Sequence, residues 1–66
     1  MTPTELRRIG EALYGRQWVT AMARDLGISR RTLHRRASGA RPIPETMRAE
    51  LLVIAKRRWQ GIEDVL

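Results

Sequence analysis

Apolar side chains recur at spacings of three and four residues through most of this chain, which is the period of amphipathic helices buried on one side. Leu6, Ile9 and Leu13 form one such face, and Trp18 and Met22 begin a second. The pattern predicts a compact all-α domain of four to five helices spanning residues 1–66. The helices are expected at about 3–14, 18–26, 30–38 and 44–60.

Residues with capping preferences mark the predicted helix ends. Thr2 and Glu5 fit a capping box at the start of the first helix. Gly27 is expected to end the second helix, because glycine adopts a left-handed backbone without steric cost. Ser29 can cap the third helix by accepting from backbone N–H groups, and Pro44 is expected to open the fourth.

The fourth helix carries more apolar residues than one small domain needs. Met47, Leu51 and Ile54 are expected to face the core. A second apolar line repeats at heptad-like spacing and consists of Leu52, Ala55, Trp59, Ile62 and Leu66. We therefore predict that segment 44–66 mediates homodimerisation. The pattern leaves open whether the helix continues through Gly61.

Size and composition restrict the protein class. A chain of 66 residues buries only about 60% of its unfolded surface, so it suits short helices with local contacts. Cysteine is absent, which excludes a disulfide framework and a thiolate zinc site. No apolar run approaches the roughly 20 residues of a membrane span, and the N-terminus lacks the apolar stretch of a signal peptide. We expect a soluble, cytoplasmic protein.

Positive charge is concentrated in one segment. The formal net charge is +6, and the stretch from Leu26 to Pro44 holds five arginines and no acidic residue. At about 100° per residue, Arg31 and Arg35 of the predicted third helix point away from its apolar residue Leu33. Solvated helix faces usually mix charges of both signs, so this cluster favours contact with DNA.

Residues 17–44 resemble the helix-turn-helix of the lambda-repressor-like, or Cro/CI-type, family. The matching positions are Ala23, the turn Leu26–Ser29, Leu33 and Gly39. A narrower similarity to small phage and plasmid regulators, including anti-CRISPR-associated repressors, combines Leu13–Gly15 and Trp18 with Arg41–Pro44. The resemblance implies a helix-turn-helix at about residues 18–38, with helix 30–38 in the major groove.

The resemblance also implies roles for individual residues. Bases are expected to be read by Ser29, Arg30, Arg31 and Arg35. Phosphate contacts are expected from Gln17, Thr32 and Arg41, with the exposed His34 near phosphate as well. Arg36 departs from the family pattern, which usually has a large apolar residue there. Its guanidinium can reach a phosphate, or it can pair with Asp25 or Glu50.

The leading functional hypothesis is a dimeric transcriptional regulator, an autorepressor that binds an inverted-repeat operator in double-stranded DNA. No nucleophile–base set, paired carboxylate or phosphate-binding glycine loop is visible, so we expect no enzyme, cofactor, metal site or small-molecule effector. The alternative is a protein-binding module, such as an antitoxin or inhibitor, that captures a partner on the apolar C-terminal line. A membrane-surface peptide fits poorly, because only Leu33 and Ala37 lie opposite the cationic face.

Overall fold

The chain folds into four α-helices joined by short connections in the computed structural model, which describes residues 1–65. The helices are α1 (Pro3–Tyr14), α2 (Trp18–Leu26), α3 (Arg30–Ser38) and α4 (Thr46–Val65). No strand occurs within the described residues, and no helix among them is long and apolar enough to cross a membrane. The all-α prediction is confirmed, and α1, α2 and α3 have the predicted bounds.

The ends of α1 follow from local hydrogen bonds. The Thr2 hydroxyl oxygen accepts from the Glu5 backbone N–H at 3.1 Å, as predicted for an N-cap. The Glu5 carboxylate accepts from the same hydroxyl at 3.2 Å. At the other end, Gly15 adopts a φ of 86°, and its N–H donates to the Glu11 carbonyl at 2.8 Å. This reversal allows α2 to begin at Trp18.

The start of α4 differs from the prediction, and its C-terminal end answers the question that the sequence left open at Gly61. The helix begins at Thr46 rather than at Pro44, because Pro44 and Glu45 form a turn whose carbonyls accept from residues 47 and 48. It also continues through Gly61 to Val65. Glycine costs a helix only about 1 kcal/mol relative to alanine, so one glycine among helix-forming neighbours does not end it.

One fully buried side chain from each helix lies at the centre of the fold. These residues are Leu6, Met22, Leu33 and Met47, and Trp18, Ala23, Ala37 and Leu51 complete the core. The core position predicted for Trp18 is confirmed, since only 6% of it is exposed. A Cβ atom on Gly10 would lie 2.3 Å from Trp18 Cδ2. The start of α2 therefore packs directly on the backbone of α1.

The C-terminal half of α4 extends beyond this core. Residues 56–65 are all exposed, and the chain is 40 Å long against 22 and 20 Å in the other directions. The Arg58 guanidinium lies 4.7 Å from the centroid of the Tyr14 ring, in the range of a cation–π contact. The Tyr14 hydroxyl donates to Asp25 Oδ2 at 2.7 Å. One tyrosine therefore connects α1, α2 and α4.

Candidate nucleic-acid interface

The turn between α2 and α3 sets the position of the arginine-rich helix. Gly27 has left-handed dihedrals, with φ 70° and ψ 29°, and its N–H donates to the carbonyl of Arg24. The Ile28 N–H donates to the Ala23 carbonyl at 3.0 Å, and the Ile28 side chain packs against the core. These hydrogen bonds satisfy two carbonyls of the last turn of α2, and the chain changes direction within three residues.

Ser29 starts α3 as its N-cap. Its hydroxyl oxygen accepts from the Thr32 backbone N–H at 3.1 Å, and the hydroxyl donates to Thr32 Oγ1 at 2.9 Å. Ser29 was predicted to read bases, but in this structure its hydroxyl is engaged within the helix. The Thr32 hydroxyl remains able to donate outward from a half-buried position.

The outward face of α3 is cationic. Arg30, Arg31, His34 and Arg35 are all exposed, whereas Leu33 and Ala37 are buried on the opposite side. The helix has no acidic residue in its first turn. Three of the four residues predicted to read bases therefore lie on one accessible surface, as the helical period of the sequence indicated.

The start of α2 borders this cationic face. Val19 lines one surface depression together with Arg30, Arg31 and His34. A second depression is lined by Gln17, Val19, Thr20 and Arg30. Gln17 was predicted to lie at this surface, whereas Val19 and Thr20 were not. The available signal was their position in the first turn of α2, beside Gln17, with Val19 at the edge of the core and Thr20 exposed.

The C-terminal end of α3 is held by two arginines. The Arg41 backbone N–H donates to the Arg35 carbonyl at 3.3 Å, and the Arg41 side chain is exposed beside the helix end. The guanidinium of Arg7, in α1, donates to the Ala37 carbonyl. Arg7 was not predicted to have a role, because the sequence alone does not show which carbonyl its side chain meets.

Arg36 points inward, unlike the other arginines of α3. Its Nη1 lies 3.7 Å from the sulfur of the buried Met47, and its Nε is buried without a hydrogen-bond partner among residues 1–65. Neither of the two predicted alternatives for an acidic partner, Asp25 or Glu50, pairs with Arg36 in the described residues, and the phosphate contact stays a prediction. The physical reason is that Met47, at the start of α4, lies against this side of α3, so the guanidinium packs on a thioether.

The acidic residue next to the arginine segment is already engaged. Asp25 accepts from the Tyr14 hydroxyl, so its carboxylate is directed toward α1. Partial burial, together with this hydrogen bond and the charge of Asp25, raises the pKa of Tyr14 to about 12. The tyrosine is therefore a neutral donor at physiological pH. Within residues 1–65, no group of three or more His, Asp or Glu side chains is arranged to hold a metal ion.

The predicted dimerisation line lies on the accessible side of α4. Leu52 is 56% exposed, Trp59 61% and Ile62 50%, while Ala55 is half-buried. Leu66, which was predicted to belong to the same line, lies outside the described residues. The structure therefore presents exposed apolar side chains on α4, none of which lines the two depressions beside α3.

No family model, curated protein or solved structure matches the chain.

Proposed function

We propose that this chain is a sequence-specific regulator of transcription that binds double-stranded DNA. In this proposal α2, the Gly27–Ser29 turn and α3 form a helix-turn-helix, and α3 enters the major groove. The observation that carries the proposal is the exposed cationic face of α3, with Arg30, Arg31 and Arg35 accessible and no acidic residue between Leu26 and Pro44. The resemblance to lambda-repressor-like proteins at the turn supports the same function.

The chemistry of the side chains distinguishes residues that contact bases from residues that contact the DNA backbone. Arginine forks match the O6 and N7 acceptors of guanine, so Arg30, Arg31 and Arg35 are the proposed base readers. The other polar groups of this surface are proposed to meet the sugar–phosphate backbone. They are Gln17 at the start of α2, Thr32 and His34 on α3, and Arg41 beyond it. Ser29 acts mainly by fixing the start of α3.

The exposed apolar line of α4 supports a homodimer. Two copies related by a twofold axis would read an inverted repeat, with half-sites about 10–11 base pairs apart from centre to centre. An operator of this kind within its own promoter would make the protein an autorepressor.

Titration of the intact chain with a random-sequence duplex at several salt concentrations tests the proposal. Each phosphate contact adds about 0.9 to the log–log slope of affinity against salt, so several contacts give a steep dependence. Selection from random duplexes should then recover a site with dyad symmetry. A slope near zero on duplex DNA would refute the proposal.

The exposed Trp59 and Ile62 also favour a second candidate function, a protein-binding module such as an antitoxin or inhibitor. In that case the partner covers the C-terminal half of α4 and DNA binding is secondary. Copurification from the native host, compared with gel shifts on random duplex pools, separates the two. A stoichiometric protein partner together with weak, sequence-independent gel shifts favours the module.

A further inference from the structure

Val19 occupies an unusual place in the candidate interface. Among the described residues that line the two depressions beside α3, only Val19 is apolar. Part of its side chain packs against the core, and the remainder is open to the depression shared with Arg30, Arg31 and His34. An apolar group therefore lies within reach of anything that the arginines bind.

The major groove of DNA has few apolar atoms that an apolar side chain can contact. Phosphates and base edges present charges, donors and acceptors, none of which gains from contact with a valine methyl. The exception is the C5 methyl group of thymine, which is the apolar feature of the groove. Successive base pairs lie about 3.4 Å apart, so side chains that line one depression reach the same or neighbouring pairs.

We infer that Val19 contacts the C5 methyl group of a thymine in the bound DNA and selects a T·A pair next to a guanine bound by Arg30 or Arg31. The inference rests on the proposed function, because it concerns the same interface. It extends the reading surface from α3 to the first turn of α2. It also assigns specificity to a residue that can form no hydrogen bond with a base.

The test uses the intact chain and a duplex selected from a random pool. Each thymine of the selected site is replaced singly by deoxyuridine, which lacks only the C5 methyl group. At one position the affinity should fall about fourfold, the effect of exposing one buried methyl group. Val19→Ala should weaken binding to the thymine duplex by a similar factor and bind both duplexes equally.

A matched control separates this role from a structural one. Val53 is half exposed on α4 and lines neither depression beside α3, so Val53→Ala should leave the thymine preference unchanged. A loss of fold stability in Val19→Ala lowers binding to both duplexes alike and does not alter their ratio. If Val19→Ala keeps the wild-type preference, or if no thymine responds to deoxyuridine, the inference is wrong.

Failure of this inference and failure of the proposed function give different results. Arg31→Ala measures the arginine contacts independently of Val19. If Arg31→Ala weakens binding to the selected site but no replacement of thymine by deoxyuridine changes the affinity, only the Val19 contact is refuted. The proposed interface on α3 is then retained. If no duplex is selected at all, the result contradicts both.

Discussion

Replacing Gly10 with alanine is expected to destabilise the fold, although alanine is the better helix former. The new Cβ atom would lie 2.3 Å from Trp18 Cδ2 and Cε3 and 2.8 Å from Cγ. Carbon atoms in contact are ordinarily about 3.5–4.0 Å apart, so the indole must move by about 1 Å or more. Trp18 is 6% exposed and enclosed by the core, which leaves the rigid ring little room to do so.

The two opposing energies can be compared. Overpacking a core costs about 1–3 kcal/mol, and the close contact with three ring atoms places Gly10→Ala toward the upper end. The gain in helix propensity is about 1 kcal/mol. The net loss is therefore about 1–2 kcal/mol, from the same ranges. In a domain of this size it lowers the Tm by about 5–15 °C.

Thermal unfolding followed by circular dichroism measures this effect, and Gly61→Ala is the matched control. Gly61 is also helical, but a Cβ atom there meets nothing within 4 Å, so its replacement should not lower the Tm. In a Trp18→Leu background, the cost of Gly10→Ala should shrink, because the smaller side chain can yield. An unchanged or raised Tm for Gly10→Ala alone would contradict the close packing of α1 on α2.

Four further predictions concern single side chains. Arg31→Ala should weaken binding to the selected operator by about 10–100-fold and relax the preference at one base pair. Arg41→Ala should instead weaken binding to operator and random DNA alike, and it should lower the log–log slope of affinity against salt by about 0.9. Arg36→Leu should raise the Tm without changing sequence preference, because a buried, unpaired Nε is removed; an equal loss of affinity on all sequences would instead indicate a phosphate contact. Ile62→Asp should give a folded monomer with weaker operator binding, and sedimentation that shows an intact chain already monomeric at micromolar concentration would oppose this. The raised pKa of Tyr14 contributes stability below pH 10 that declines between about pH 10 and 12. In Tyr14→Phe, the free energy of unfolding from chemical denaturation should therefore depend less on pH over that range.

The parts of the fold that could be predicted from sequence depend on local chemistry. Thr2, Gly27 and Ser29 determine helix ends through bonds to residues at most five positions away, and α1–α3 have the predicted bounds. The apolar period also separated the buried from the exposed face of α3. These features need no knowledge of the rest of the chain.

The features that were missed depend on contacts between helices. Gly10 is required by the indole of the next helix, and Arg36 turns inward because Met47 of α4 lies against it. Val19 joins the candidate site only because α2 and α3 cross beside it. The start of α4 after Pro44 and its continuation through Gly61 depend on small differences in free energy between helix and turn. A pattern of apolar residues does not measure these differences.

The charge at the start of α3 has a consequence for the free protein. Arg30 and Arg31 lie where the helix dipole is already positive, and no acidic residue in the first turn offsets them. Each such repulsion costs about 0.3–1 kcal/mol at low ionic strength. Added salt screens this repulsion and so stabilises the unbound fold, while the same salt would weaken the proposed binding to DNA. If the proposal holds, ionic strength acts on folding and on binding with opposite signs, and a bound duplex would supply the counter-charge that the start of α3 lacks.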